Sequence, residues 1–470
     1  MRRRRFLALP QRDEAANLAI LALFFALWFG LCYCGAAALV QFIPWRMSVQ
    51  LPIDSQIPFW PGAAAIYLTI VPMLLVAPFV LRDQASLLRL CCALLIETTA
   101  GALCFLLLPV DDIAVQCCTQ GLAGVLFQIA DALNLHNNNL PSLHVAFATT
   151  LALAFAIHSS RPGKLIMFLW VLALDVSTLV TRQHFVLDVF AGTLLALVSW
   201  PVAGGWASRP AVAAAVDVEL LCLRNAARFV RRNRRYLLIV LAIWPRRRLA
   251  RTGFCFLQAL DDVLDGDRSC ECEPLQVADE MLQSFASGQF GGSDLARLGA
   301  AFRCELLARG GAGQLAIVRR LIGAMRNDRV RVLEHALWTR EQLMEQGRAT
   351  FAPSLDLMML AADSPLRHGD VPLLVDALGW CSTVRDLHAD LARGLVSIPK
   401  DVFMAAQLEQ PGAALPALAT TTAVRQWLAV GNHAASALLD RVDAEIAGLH
   451  GRRGARLLHR FARSMRKYLH

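Results

Sequence analysis

What this sequence lacks first is charge. Only 18% of its 470 residues are Asp, Glu, Lys or Arg, against 56% hydrophobic. Soluble globular chains average about 25% charged residues. With a mean hydropathy of +0.47, the composition excludes a disordered chain and places much of this one in lipid. A second absence is any nucleic-acid recognition motif. The net charge of +9 is gathered into arginine runs at 2–5, 228–235 and 246–251. Positive loops beside apolar spans have a simpler cause in cytoplasmic retention, so no nucleic-acid partner is expected. A third absence is metal-ligand spacing among the 13 cysteines. Cys32, Cys34, Cys91, Cys92, Cys104 and Cys222 lie in or beside apolar runs, where cysteine behaves as a small hydrophobe. Cys270-Glu271-Cys272 is a tight pair with no partner pair after it, which argues against zinc and for reduced, structural thiols. There is no internal repeat and no low-complexity tract. No small-residue cleavage site follows the first apolar run, so that run reads as a retained helix and not as a signal peptide.

What is present, in abundance, is long apolar sequence. Runs at 17–40, 62–82, 87–109, 141–158, 164–181 and 184–204 each approach the ~20 residues needed to cross a bilayer. The segment 113–135 is apolar but interrupted by Gln116, Gln120, Gln128 and Asp131, and reads as interfacial. The loop Arg161-Pro162-Gly163-Lys164 divides the fourth run from the fifth. Arginine and lysine bias orients the array. The first arginines stay in the cytoplasm, and six crossings return Arg82, Arg89, Arg161, Lys164 and everything after Pro210 to that side. Arg46, Asp54, Asp111 and Asp112 are left outside. The expectation is an integral protein of the plasma or inner membrane with both termini cytoplasmic. After Trp206 the composition changes, β-branched runs become rare, and helical spacing dominates. A membrane domain over 1–206 and a helical domain over 214–470 are expected. The predicted helices of the second lie at about 220–244, 254–265, 275–288, 293–309, 312–334, 336–362, 371–394, 400–408 and 423–447, ahead of a basic amphipathic tail at 452–467. The run 236–244 is too short to span and reads as a core helix.

Ionisable residues punctuate the greasy half in one stretch. It opens on Asn137-Asn138-Asn139-Leu140-Pro141-Ser142-Leu143-His144 and closes on Thr181-Arg182-Gln183-His184-Phe185-Val186-Leu187-Asp188. Such groups at a membrane edge point to function. His184 and Asp188 are four apart, which on a helix places them on one face. A carboxylate there holds the imidazole Nδ1–H and leaves Nε2 as a nucleophile. His144 supplies the proton a leaving alkoxide needs. Ser142 ahead of a helix offers a capping hydroxyl near free N–H groups that suit phosphate oxygens. Arg182 and Arg46 are candidate counter-charges. The same orientation puts both histidines at the outer face. The structural alternative is a pair of polar residues capping helix ends.

These two segments resemble the histidine motifs of the type 2 phosphatidic acid phosphatase superfamily. The Pro-Ser-Leu-His form is similar to its inositolphosphotransferase branch, which includes inositol phosphorylceramide synthases. The resemblance spans roughly 40–205. It implies a phosphohistidine on His184, an orienting role for Asp188, an acid role for His144, and no cofactor for this site. The opening lysine-and-arginine motif of the phosphatases is missing, and Thr178 stands where many carry a phosphate-binding arginine. Hydrolysis and transfer both stay open.

Two aspartate clusters mark the second half. Asp261-Asp262-Val263-Leu264-Asp265-Gly266-Asp267 closes an apolar helix, and Arg385-Asp386-Leu387-His388-Ala389-Asp390 follows about 120 residues later. Asp261 with Asp265, and Asp386 with Asp390, each share a helix face. Facing carboxylate helices make an all-oxygen site suited to Mg²⁺, with Asp261, Asp262, Asp265, Asp386 and Asp390 as candidate ligands and Arg385 as a substrate counter-charge. The alternative is two solvated, salt-bridged faces. This half resembles the squalene and phytoene synthase family in Phe254 through Arg268, in Gly379 through Val402 with its trailing Ile398-Pro399-Lys400-Asp401, and in Glu341 through Gly347 after Met325 and Asp328. It departs at Gln258, where the family carries arginine, and at Leu395 and Ser397, where it carries arginine and tyrosine. The resemblance implies an isoprenoid-synthase-like bundle acting on a prenyl diphosphate with Mg²⁺.

The expectation is therefore an all-α chain, a six-helix transmembrane bundle followed by a second helical bundle. Its chemistry is phosphoryl hydrolysis or transfer on membrane lipids, joined to Mg²⁺-dependent prenyl diphosphate chemistry. Two rivals stand beside it. One is a phospholipid or sphingolipid head-group transferase whose second half only binds lipid, and the other is a non-catalytic membrane scaffold.

Overall fold

The computed structural model of the protein describes residues 12–81, 83–111, 120–135, 138–232, 248–270 and 272–469. The arginines at 2–5, Arg82, Asp112, Asn137, the run 236–244 and Glu271 lie outside the described residues. Among those described, the chain is helical throughout, with one isolated parallel bridge between Met47 and Val110. It divides into two compact units, Met1–Leu220 and Leu221–His470.

In the first unit the helices are α1 (Arg12–Val40), α2 (Ala64–Tyr67), α3 (Ile70–Val80), α4 (Gln84–Leu107), α5 (Gly121–Leu133), α6 (Leu143–His158), α7 (Arg161–Val180) and α8 (Val186–Ala207); α9 (Pro210–Arg232) carries the chain across the unit boundary. Among the described residues five stretches are long and apolar enough to cross a membrane: Ala15–Val40, Pro61–Val80, Gln84–Leu107, Arg161–Val180 and Val186–Ala207. The sixth expected span is the 16-residue α6. At 1.5 Å per residue it reaches about 24 Å, short of the ~30 Å hydrocarbon core. The expected break at Arg161 through Lys164 also moves. Ser160 is the N-cap, its Oγ accepting the Gly163 N–H at 3.5 Å, and Pro162 sits in the first turn of α7. Serine before a helix and proline just inside it start helices.

The α1, α4, α6 and α8 helices pack on one another. Their core holds Tyr33, Phe105, Phe147, Leu151 and Phe155. Phe29 stacks on Tyr33 at 5.0 Å, and Phe25 meets Phe147 edge-on at 5.9 Å. Leu27 and Leu31 on α1, Phe168 on α7, and Phe190 and Leu197 on α8 point outward. An apolar outer belt of this kind is stable against lipid and costly against water. One polar knot crosses this bundle. Glu97 of α4 is fully buried, and its Oε1 accepts the Thr150 hydroxyl of α6 at 2.5 Å and the Ser199 hydroxyl of α8 at 2.6 Å.

The second unit continues with α10 (Arg248–Leu264), α11 (Pro274–Ser287), α12 (Asp294–Gly310), α13 (Gly313–Glu334), α14 (Arg340–Ala361), α15 (Pro372–Arg393), α16 (Lys400–Glu409), α17 (Leu415–Leu418), α18 (Thr422–Gly448) and α19 (Ala455–Met465). The α14 helix begins four residues later than expected because Thr339 and Gln342 form a capping box. Phe256, Phe285 and Phe302 fill the space between α10, α11 and α12, with ring centroids 5.2–6.1 Å apart. Gly253 permits that approach, since a Cβ there would lie 2.6 Å from the Phe302 ring.

Candidate functional site

The two histidines of the first unit meet. Their ring centroids are 6.2 Å apart. His144 is the second residue of α6 and half-buried. His184 is buried, but not on a helix. It closes a turn in which the Gln183 and His184 N–H groups donate to the Thr178 carbonyl at 3.0 and 3.3 Å, and Arg182 takes φ +54°. The sharing of a helix face expected for His184 and Asp188 therefore does not occur. Asp188 reaches back from the first turn of α8, where its Oδ2 accepts the Phe185 N–H at 2.9 Å and lies 3.7 Å from His184 Nδ1. That separation is an ion-pair distance and too long for a hydrogen bond.

Backbone packing holds this arrangement. The Ser142 N–H donates to the Asp188 carbonyl at 3.1 Å, and a Cβ at Gly192, one turn along α8, would overlap the Ser142 carbonyl. Ser142 is fully buried and caps α6, accepting the Val145 N–H at 3.4 Å. The α6 N-terminus and the α8 N-terminus are thus pinned together, one bearing His144 and the other bearing Asp188.

The candidate counter-charges have contacts of their own. Arg46 closes the C-terminal end of α1, donating to the Ile43, Trp45 and Val40 carbonyls, the last two at 2.9 and 3.0 Å. Lone carbonyls at a helix end attract such a cation. Arg182 is exposed, its guanidinium 5.9 Å from the Phe59 ring centroid.

Three site neighbours carried no signal in the sequence. Tyr67, buried on α2, places its hydroxyl 3.0 Å from His144 Nδ1 and stacks its ring on the imidazole at 4.3 Å. Asp54 accepts the Leu51 N–H at 2.6 Å and the Val186 N–H at 2.9 Å, clasping the loop before α2 to the start of α8. Gln183 accepts from Asn134 Nδ2 at 2.9 Å and donates to Asp131 at 3.2 Å, anchoring the His184 turn to α5. The contacts with His144, Val186, Asn134 and Asp131 each join residues at least 49 apart, beyond the reach of any local pattern.

A family comparison bears on this geometry. Residues 40–202 match the PAP2 superfamily. The match covers both histidines, Asp188, Tyr67 and Asp54, and supports phosphatase- or phosphotransferase-type chemistry for this unit. No curated protein and no solved structure matches the chain.

In the second unit, Asp261 on α10 interacts with Asp265, which sits in the turn just past the end of α10 and not on its face, and Asp265 in turn lies within electrostatic reach of Asp390 on α15 and Asp328 of α13. Burial first, then Asp265 and Asp262, pushes the Asp261 carboxyl up to about 7. Burial, with Asp386, Asp328 and Asp265 adding to it, raises Asp390 to about 6 against the opposing Ser397 hydrogen bond. Asp328 is also raised, chiefly by burial. Gln258 donates to Asp261 at 3.2 Å and Ser397 to Asp390 at 3.0 Å, so two of the three departures from the synthase pattern touch the motif aspartates. Arg393 bridges Asp265 and Asp267 at 2.7 and 3.0 Å, and Arg385 grips Asp386 through both oxygens. Asp262 is buried on α10, and its carbonyl accepts the Arg268 N–H at 2.8 Å. Among the described residues no group of three or more His, Cys, Asp or Glu side chains is arranged to hold a metal ion by itself.

Proposed function

We propose that the first unit transfers a phosphoryl group from a lipid phosphate ester through a phosphohistidine on His184. The observation that carries this reading is the pairing of a buried imidazole and carboxylate, His184 and Asp188, with a second histidine 6.2 Å away ring to ring. In the loaded site His184 Nδ1–H closes onto Asp188, since catalytic hydrogen bonds tighten on substrate binding. Nε2 attacks phosphorus as the ester P–O bond breaks, and the departing alkoxide takes a proton from His144. His144 then accepts a proton from water or from an acceptor hydroxyl as that oxygen attacks phosphorus and the P–N bond breaks. The Pro-Ser-Leu-His form favours a hydroxyl acceptor, as in the inositolphosphotransferase branch it resembles.

The test is release of alcohol from phosphatidic acid and from a prenyl phosphate by the protein in detergent. Activity lost in His184→Ala, with an acid-labile phosphoenzyme in the wild type, is the expected result. Wild-type protein that releases no alcohol, and matches His184→Ala throughout, would overturn the reading and favour a scaffold.

The second unit is read as binding a prenyl diphosphate with Mg²⁺. The donor chemistry fits a hard divalent ion, because the carboxylates of Asp261 and Asp390, each raised by burial and by neighbouring aspartates that include Asp265, gain from a cation. Mg²⁺ commonly takes one or two carboxylates and completes its shell with phosphate oxygens and water, which suits a site where no three carboxylates converge. When bound, the ion neutralises a diphosphate that leaves. One or two of Asp261, Asp265 and Asp390 would hold it, with Arg393 beside Asp265 and Arg385 beside Asp386 as counter-charges. The competing reading is a lipid-binding role without turnover, favoured by the ion pairs that already engage Asp265 and Asp386. Consumption of farnesyl or geranylgeranyl diphosphate that is lost in Asp261→Ala decides for the enzyme; Mg²⁺-independent lipid binding without consumption decides against it.

A further inference from the structure

The hydroxyl of Tyr67 lies 3.0 Å from His144 Nδ1, which leaves Nε2 as the ring nitrogen without this partner. We propose that Tyr67 is the positioning residue that makes His144 a one-sided proton donor, leaving Nε2 as its only working nitrogen. This rests on the phosphohistidine reading above.

Tyr67 is fully buried, on a short helix held from two sides. It clusters with Ala64, Phe127 and Ala130 on one side, and on the other its ring stacks on His144 with centroids 4.3 Å apart and planes 30° from parallel. The next polar residue, Thr69, accepts the Trp170 Nε1–H at 2.9 Å and ties this segment to α7. Among the described residues the hydroxyl of a tyrosine so fixed meets His144 Nδ1 at 3.0 Å. When His144 is neutral, Nδ1–H donates to the phenol oxygen and Nε2 carries the lone pair that takes up a proton. When His144 is an imidazolium, Nδ1–H donates to the phenol oxygen and Nε2–H is the hydrogen left to give. In both states Nδ1 is engaged, and proton traffic runs through Nε2. Asp188 lies 3.7 Å from His184 Nδ1. The two histidines thus have different partners, a neutral hydroxyl for the acid and a carboxylate for the nucleophile. Different partners separate the roles of otherwise similar groups.

The proton moves only to the leaving oxygen. His144 Nε2–H becomes Nε2 with a lone pair, the alkoxide becomes an alcohol, and the ester P–O electron pair accepts that proton. An aryl oxide bearing a nitro group leaves without needing it. Tyr67→Phe keeps the ring, the stack and the burial and removes only the hydroxyl.

The experiment compares release of dodecanol from dodecyl phosphate with release of the phenol from a dodecyl-substituted nitrophenyl phosphate. Because a general acid contributes about 10²- to 10⁴-fold, Tyr67→Phe is expected to lower the alkyl-to-aryl ratio of kcat by at least about tenfold while KM for the alkyl ester stays within about twofold. His144→Ala is expected to lower the same ratio further. Equal loss on both esters, with or without a lower unfolding temperature, would make Tyr67 a packing residue and overturn the proposal. An unchanged ratio at full activity would overturn it too. Wild-type protein that releases neither alcohol, indistinguishable from His184→Ala, overturns the phosphohistidine reading itself, and the proposal with it.

Discussion

Gly192 and Ser142 touch where no side chain fits: a Cβ on Gly192 would occupy the place of the Ser142 carbonyl oxygen. Gly192→Ala must therefore push α8 away from the α6 N-terminus, because a backbone carbonyl cannot rotate aside. Overpacking of this kind costs roughly 1–3 kcal/mol. Thermal unfolding in detergent is expected to record that loss, and phosphoryl transfer is expected to fall as His144 separates from His184.

Asp188 has a structural task, accepting the Phe185 N–H, and a proposed chemical one beside His184. Asp188→Asn retains an oxygen for the cap and removes the charge. The expected outcome is a folded protein whose kcat falls by about 10²- to 10⁴-fold, the range of a lost acid–base partner. Circular dichroism melts together with kcat separate the two tasks; a variant with full kcat would refute the chemical one.

Glu97 joins three helices through one oxygen, with Thr150 and Ser199 both donating to it. Glu97→Ala strands the buried Thr150 hydroxyl, leaves Ser199 only the Ala196 carbonyl at 3.2 Å, and is expected to cost about 1–3 kcal/mol. Glu97→Gln keeps an acceptor and should lose less. In Ser199→Ala the Glu97→Ala penalty should shrink, since one of the two hydrogen bonds to Glu97 is already gone. Additive penalties would show that the knot does not act as a unit.

The aspartate cluster of the second unit predicts a pH dependence. Asp261 lies near 7 and Asp390 near 6 in the folded state, both above the ordinary carboxylate value. Between that ordinary value and about 7 the folded state binds more protons than the unfolded one, so stability falls as pH rises through this window. Mg²⁺ binds the ionised form and should reverse the trend. The melting temperature is expected to be higher at pH 5.5 than at pH 8 without Mg²⁺, and Mg²⁺ should raise it at pH 8 more than at pH 5.5. Asp261→Asn should flatten both effects. A pH-independent melt, or equal Mg²⁺ stabilisation at the two pH values, would count against a cation-seeking cluster.

The sequence by itself determined what local chemistry can determine. Apolar runs marked the membrane helices, and spacing marked His144, His184, Asp188, Asp261, Asp265, Asp386 and Asp390, because turns, caps and helix faces act over a few residues. The same locality explains the errors. Ser160 and Pro162 start α7 inside the stretch taken for a loop, and His184 sits in a turn ahead of Val186 rather than on the helix with Asp188. Tertiary packing decided the rest. Tyr67 on His144, Asp54 on the α8 N-terminus and Glu97 between Thr150 and Ser199 each satisfy a buried polar group with a partner 53 to 132 residues away. A buried polar atom needs some partner, but its own neighbourhood in the chain does not say which one. Which residue meets it depends on how the helices pack, and that is a property of the folded bundle.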